Sequence, residues 1–181
     1  GVKASGSTHP MRATTLLRLL LGIYHIFVTG HRRIPGGLVV EVRPDWQVSR
    51  CSLCGCKCRS VHDRRTRRWR HLDCFGWKVF LEYQIKRVDC RRCRRTTTEA
   101  VPWADLASNF TRAFEERCAY FTKHADNSFV ARTMRVAWRS VTRIVKTVVG
   151  RNLGSLSDRL DGLRHIGIDE LSYRKHHEYI T

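Results

Sequence analysis

The sequence has few acidic residues and no long hydrophobic run. Its 181 residues include 16 Asp and Glu against 34 Lys and Arg, which gives a formal net charge of +18. A positive excess of this size favours a nucleic-acid partner or, less often, an anionic membrane surface. The apolar stretch 16–28, "LLRLLLGIYHIFV", is interrupted by Arg18 and is far shorter than the roughly 20 residues that cross a bilayer. We therefore expect no membrane segment.

The sequence also lacks the signs of export and of disorder. No small-residue cleavage site follows stretch 16–28, so we expect no signal peptide. Hydrophobic residues make up 42% of the chain, which is too many for a disordered tail, and neither a repeat nor a low-complexity tract is present. We therefore place the eight cysteines in a reducing cytosol, where paired cysteines hold metal more often than they form disulfides.

Four of the cysteines form two C-x-x-C pairs, Cys51 with Cys54 and Cys90 with Cys93. Two intervening residues let both thiolates of a pair face one point across a tight turn, and two such turns supply the four sulfurs of a structural zinc site. Gly55 suits the positive φ that such a turn often needs. A β-hairpin across the 35 intervening residues would bring the pairs together as a zinc ribbon.

Other residues remain possible zinc ligands. Cys56 and Cys58 lie beside the first pair, and Cys74 lies between the two pairs. Any of them could replace a member of the preferred set, whereas His62 and His71, on a basic surface, are weaker alternatives.

The cysteine-rich block is also the most basic part of the chain. Residues 50–95 hold 15 Lys and Arg against four Asp and Glu. Arginine suits phosphate contacts, and each neutralised phosphate releases counterions. The alternative is an ordinary solvated strand face. We expect phosphate contacts from the arginines of "RRTRRWR": Arg64, Arg65, Arg67, Arg68 and Arg70.

Residues 104–150 carry helical patterns. Phe110, Phe114, Cys118 and Phe121 are spaced by four, four and three, which predicts one apolar helical face with Cys118 in the core. Ser108 or Asn109 is the expected cap.

A helix-turn-helix is predicted at 128–149, with helices at 128–135 and 138–149. Its core stripe is Val141, Ile144, Val145 and Val148, and Trp138 shares that side, so we expect its ring to pack. In a helix-turn-helix the early residues of the second helix enter the major groove. An amphipathic helix with a solvated basic face is the alternative. The residues predicted to contact DNA are Arg139, Ser140, Arg143 and Lys146.

These patterns predict an α+β chain of successive modules. A β-hairpin around Pro35, Gly36 and Gly37 precedes a zinc-ribbon-like β module and a helical helix-turn-helix module. The expected divisions are a non-native or mis-called extension (1–10), the hairpin unit (11–46), the finger (47–101), the helix-turn-helix (104–150), a linker (151–164) and a final hairpin (165–181).

The order of these features, with the closing "HIGIDELSYRKHHEYIT", resembles the ISL-three (ISL3) family of bacterial insertion-sequence transposases. The resemblance maps the zinc ligands onto Cys51, Cys54, Cys90 and Cys93, and the first catalytic aspartate onto Asp169. In that family the zinc finger and helix-turn-helix recognise terminal inverted repeats, and a DDE catalytic domain of RNase H-like fold follows. The sequence predicts a strand at 166–169, then a charged turn and a second strand that starts with "EYIT". In the resemblance, residues 165–181 would be the first hairpin of that domain, in truncated form.

DDE chemistry uses two divalent ions held by three carboxylates. Glu170 lies next to Asp169 along a strand, points to the other face and cannot supply a second carboxylate. The family's second Asp and its Glu are missing, so we expect zinc and double-stranded DNA binding without strand cleavage, and Mg2+ only in a complete catalytic domain. The resemblance also implies a bacterial cytoplasmic, nucleoid-associated protein that is able to self-associate.

Three other functions stay open. The chain could be a stand-alone zinc-dependent regulator or repressor derived from a transposase. It could be an RNA-binding zinc ribbon, although the helix-turn-helix pattern argues against this. It could also be a redox protein that uses its C-x-x-C pairs.

Overall fold

A five-stranded sheet and a group of helices make up most of the structure. The computed structural model describes residues 13–153, 161–162, 164, 171–174 and 178–180. The helices and strands within these residues are α1 Ala13–Leu21, β1 Ile26–Ile34, β2 Gly37–Pro44, β3 Val61–Cys74, β4 Trp77–Cys90, β5 Arg95–Thr98, α2 Arg112–Phe121, α3 Asn127–Met134, α4 Trp138–Asn152, β6 Leu171–Arg174 and β7 Glu178–Ile180. The mixed α+β composition agrees with the sequence prediction.

The sheet joins the predicted N-terminal hairpin to the predicted finger. Its strand order is β1-β2-β4-β3, with β5 paired to β4. β1 and β2 form an antiparallel hairpin, but β2 also pairs in parallel with β4, from Gly37 opposite Lys78 to Glu41 opposite Glu82. A Cβ on Gly37 would lie 2.6 Å from the Lys78 carbonyl oxygen, so glycine permits this close approach. The two regions therefore share one sheet.

Alternating residues of β4 build the core of the sheet. Val79, Leu81 and Ile85 are each at most 1% exposed, and they pack in one cluster with Trp69 and Trp103. The two indole rings meet edge to face, with centroids 5.6 Å apart. Each such buried side chain contributes about 1.5–3 kcal/mol of transfer free energy.

The helices α2, α3 and α4 enclose a second core. Its buried members include Phe114, Cys118, Val130, Val141 and Ile144. The predicted face of α2 and the predicted stripe of α4 both contribute to this core, because each follows the helical period.

The predicted cap of α2 is wrong by two or three residues. The cap is Thr111, whose hydroxyl accepts the Phe114 N–H at 3.3 Å. Ser108 and Asn109 lie ahead of the helix. The Ser108 hydroxyl accepts the Phe110 N–H at 3.0 Å, and the Asn109 carbonyl accepts the Arg70 N–H.

His71 connects the sheet to the helices instead of binding metal. Its Nδ1 lies 2.9 Å from the Thr111 hydroxyl, and its Nε2 lies 3.1 Å from the Leu21 carbonyl oxygen. Burial lowers the pKa of His71 to about 4, so the ring is neutral at physiological pH and joins α1, β3 and the start of α2.

β6 and β7 form a separate antiparallel pair, with Leu171 opposite Ile180. β6 occupies a segment that the sequence predicted as a turn, and α4 reaches Asn152, inside the predicted linker. The predicted extension 1–10, the strand at 166–169 and Asp169 lie outside the described residues. Within the described part of the chain, none of the helices has the length and apolar character needed to span a membrane.

Candidate metal centre and nucleic-acid interface

The structure brings Cys51, Cys54, Cys90 and Cys93 together at one end of the sheet. Their four Sγ atoms all lie within 4.8 Å of one another. Sγ of Cys51 is 3.8 Å from that of Cys93, and Sγ of Cys54 is 3.4 Å from that of Cys90. Four thiolates at about 2.3 Å from a tetrahedral zinc would lie about 3.8 Å apart. The donor set and its spacing therefore fit a structural zinc ion.

Local turns and strand pairing produce this convergence. In the first pair, Gly55 has φ +72° and its N–H donates to the Cys51 carbonyl at 2.9 Å. In the second pair Arg94 holds the equivalent position, with φ +53°. β4 ends at Cys90, and a bridge between Cys51 and Glu99 pins the first turn beside β5. Each pair is thus a local turn, and the strands bring the two turns to one place.

Hydrogen bonds favour thiolate at two of the four cysteines. Burial opposes the Cys51 thiolate, but the Thr97 hydroxyl at 3.4 Å and the Cys54 N–H outweigh it and lower the Cys51 pKa to about 6. The Cys93 N–H donates to Cys90 Sγ at 3.4 Å and lowers the Cys90 pKa. Metal binding requires deprotonated sulfur, so these donors suit the site.

The alternative ligands lie outside the cluster. Cys58 is buried, and its Sγ donates to the Cys56 carbonyl at 3.6 Å. Burial raises the pKa of Cys58 to about 11. Cys56 accepts a hydrogen bond from Arg92 at 3.7 Å. Cys74 ends β3, at the other end of the hairpin, and His62 is exposed at the start of β3.

Cys118 lies in the helical core, as the sequence predicted. It is fully buried, and burial raises its pKa to about 11. The thiol therefore stays protonated and serves as a small core side chain.

The arginines of β3 differ in what they can contact. Arg64 and Arg65 are exposed and have no acidic partner among the described residues. Arg67 is half-buried and donates to two backbone carbonyls, those of Leu106 at 2.7 Å and Ser108 at 2.8 Å. Two of the five predicted phosphate contacts are thus free, while Arg67 is occupied by loop contacts.

Arg68 and Arg70 are bound to acids. Arg68 forms an ion pair with Glu82. Arg70 is only 6% exposed, pairs with Asp73 and lies over Phe114, with its guanidinium carbon 5.3 Å from the ring centroid. The predicted phosphate contact by Arg70 is therefore wrong, because the helical core covers that face of β3.

The outer face of α4 presents the predicted basic residues. Arg139, Arg143 and Lys146 are exposed, and Ser140 is half-buried. The prediction that Trp138 packs is wrong, since its side chain is 55% exposed. Trp138 begins α4 one turn ahead of the buried stripe, so its ring stands at the edge of the core.

Phe75 and Gly76, at the far end of the β3–β4 hairpin, were not among the residues predicted from the sequence to be functional. Phe75 is 88% exposed and adopts φ +49°, and Gly76 follows it with φ +80°. The Phe-Gly pair between two β-like runs was a signal for a two-residue hairpin. No pattern in the sequence indicated Arg135, which has φ +53° and donates to the Gly76 carbonyl at 2.9 Å.

Comparison with known proteins shows that the cysteine-rich region matches a family of zinc fingers and that most of the chain is similar to transposases. The family profile for the zinc-finger of transposase IS204/IS1001/IS1096/IS1165 matches residues 47–93, which contain the four-cysteine cluster. The chain is 40% identical over 147 residues to the transposase for insertion sequence element IS1557 in Mycobacterium tuberculosis strains CDC 1551 / Oshkosh and ATCC 25618 / H37Rv. That match covers 80% of this chain and 32% of each relative.

A more distant relative agrees. The chain is 25% identical over 144 residues to the transposase for insertion sequence element IS1001 of Bordetella parapertussis, a match that covers 80% of this chain and 35% of the relative. The chain thus spans about a third of the length of the curated relatives it matches. No solved structure matches it significantly. Residues 47–93 thus match the ISL3 transposase zinc finger, and four-fifths of the chain is similar in sequence to insertion-sequence transposases.

Proposed function

We propose that this chain is the zinc-dependent DNA-binding part of an ISL3-type transposase and that it recognises the terminal inverted repeats of its element. The observation that carries the proposal is the four-cysteine cluster, within 4.8 Å, in a segment that matches the transposase zinc finger. Zinc is the expected occupant because four thiolates in a closed tetrahedral set form a structural site.

Zinc would act on the fold and not on DNA directly. Cys51, Cys54, Cys90 and Cys93 would hold it, and the closed set leaves no coordination position for water or substrate. The ion would fix the two turns to each other and so fix the end of β3 from which Arg64 and Arg65 project.

DNA would be read mainly by α4. Arg139, Arg143 and Lys146 occupy its exposed face, opposite the buried stripe. Arg64 and Arg65 on β3 would contribute phosphate contacts, which position the protein without reading sequence. A stable docking would therefore combine base contacts from one helix with backbone contacts from the ribbon.

Strand cleavage is not assigned to the 181 residues alone. The family resemblance supplies them with one catalytic carboxylate, Asp169, whereas the two-metal mechanism requires further carboxylates to hold its ions. We propose that this chain binds without cutting and that Mg2+ acts only in a complete catalytic domain. Repression of the parent element by such a DNA-bound chain is the second candidate function, supported by the same basic surface.

The experiment is a selection of duplex DNA from a random library by the purified, zinc-loaded chain. The proposal expects one enriched sequence that matches the inverted repeats flanking the gene. Arg143→Ala should lose that enrichment, and Arg117→Ala, at another exposed arginine, on α2, should keep it. Non-specific retention by every pool, or tighter binding to structured RNA of the enriched sequence at equal salt, would contradict the proposal.

A further inference from the structure

The tip of the β3–β4 hairpin exposes an aromatic ring that the fold does not use. Phe75 is 88% exposed and lies at φ +49°. Two-residue turns of this kind favour Asn-Gly, because a bulky side chain is strained at positive φ. Strained backbone positions occur often at binding sites, so an exposed ring at such a position is a candidate binding residue.

Basic residues lie at the strand ends next to this tip and in a contact with its backbone. The Arg33 guanidinium lies over Trp77, with its central carbon 4.6 Å from the ring centroid, and Lys78 follows in β4. Lys78 and Arg135 both line an open cavity of about 380 Å³, and Arg135 also contacts the backbone of the tip. The acid nearest the tip, Asp73, is already paired with Arg135 at 2.8 Å. The charge around the tip therefore suits an anionic partner.

The tip is also fixed beside the start of α4. Arg135 holds a left-handed conformation at the end of α3, where glycine or asparagine is usual. Its side chain donates to the Gly76 carbonyl at 2.9 Å and bonds Asp73. Trp138, three residues later, is 55% exposed. Arg135 thus joins the hairpin tip to the segment that leads into α4, and these two parts together are called the tip face.

We infer that this face binds DNA and that Phe75 stacks on a base that has left the duplex stack. The inference rests on the proposed function, since it adds a contact to the same DNA complex. Apolar side chains flanked by arginines act as wedges between base steps, and aromatic rings stack on unpaired bases regardless of sequence. Phe75 would recognise distorted or unpaired DNA, while α4 reads the paired sequence.

The test compares two DNA probes and one variant. The probes are a mixed-sequence duplex and the same duplex with two central mismatches, one of which carries 2-aminopurine. The variant is Phe75→Asn, because asparagine tolerates positive φ and keeps the turn. Tyr24→Ala is the matched control: Tyr24 is 86% exposed and precedes the opposite end of β1, more than about 20 Å of strand from Arg33.

The inference expects the zinc-loaded chain to prefer the mismatched probe and to quench its 2-aminopurine fluorescence. Phe75→Asn should weaken binding to that probe by between about five-fold and about 100-fold, the range for loss of one stacked base. It should change binding to the perfect duplex less than about two-fold, and Tyr24→Ala should match the wild type on both probes.

Three outcomes overturn the inference. In the first, Phe75→Asn and the wild type bind the mismatched probe equally and both still bind the duplex. Phe75 then makes no contact with the DNA, and the proposed function still holds. A change in self-association without a change in DNA binding, measured by sedimentation, would assign the tip to a second copy of the chain. If the wild type binds neither probe, the inference fails, whereas the proposed function is decided separately by the selection of inverted-repeat DNA.

Discussion

Removal of zinc is expected to open one end of the sheet and to leave the rest folded. The hydrophobic cluster around the four converging cysteines contains Cys51, Cys58, Val88 and Cys90 as its buried members, so Val88 is its one buried residue that is not a cysteine. A buried valine contributes about 1.5–3 kcal/mol, whereas a structural zinc contributes about 10–16 kcal/mol of apparent folding free energy. The sheet core has its own buried tryptophans and branched side chains.

Without zinc, the free energy of local opening at the cysteine end of the sheet would be about 3 kcal/mol or less. This corresponds to amide protection factors no higher than about 10². Hydrogen exchange with mass spectrometry should show this loss in segments 51–58 and 88–95 after chelation. Segments 79–85 and 141–148 should keep their protection, and added zinc should restore the loss. Simultaneous loss in all four segments, or unchanged protection in the first two, would refute the reasoning.

Two further predictions concern stability. Arg151→Ala should destabilise the chain by about 3–5 kcal/mol in denaturant titrations, because it leaves the 2%-exposed Glu115 carboxylate without its partner at 2.6 Å. The control Arg112→Ala breaks an exposed ion pair with Asp105 and should cost less than about 1 kcal/mol. Equal losses of stability in the two variants would contradict this prediction. The pKa of His71 is lowered to about 4 in the folded chain, so as the pH falls His71 takes up its proton in the unfolded chain first. The neutral His71 therefore contributes its full share of the free energy of unfolding above about pH 6.5, and about 3 kcal/mol of that share is lost by pH 4. A His71→Gln variant should lack that part of the acid destabilisation, and parallel stability–pH curves for variant and wild type would exclude it.

Features set by neighbouring residues followed from the sequence. The C-x-x-C spacing and Gly55 predicted two tight turns, because both constraints act within five residues. The helix α4 followed from an apolar stripe at helical spacing, in which Val141, Ile144 and Val148 are buried. Such periodic patterns report which face of an element is covered.

Features set by distant contacts did not follow. The parallel pairing of β2 with β4 joins residues about 40 apart, and no local pattern encodes a parallel register. Arg70 stands in a run of exposed arginines, yet it is buried because Phe114 of α2 covers that face of β3. Trp138 has the spacing of a core residue but lies beyond the end of the core. Burial at these positions depends on how the sheet and the helices pack together.

The most direct test of the account is the zinc content of the purified chain. Elemental analysis should find one zinc ion per wild-type chain, and Cys90→Ser should lose it because one of four clustered sulfurs is gone. Cys74→Ser, at the opposite end of the same hairpin, should retain one zinc ion. Full zinc in Cys90→Ser, or none in the wild type, would contradict the claim that these four cysteines form a structural zinc centre.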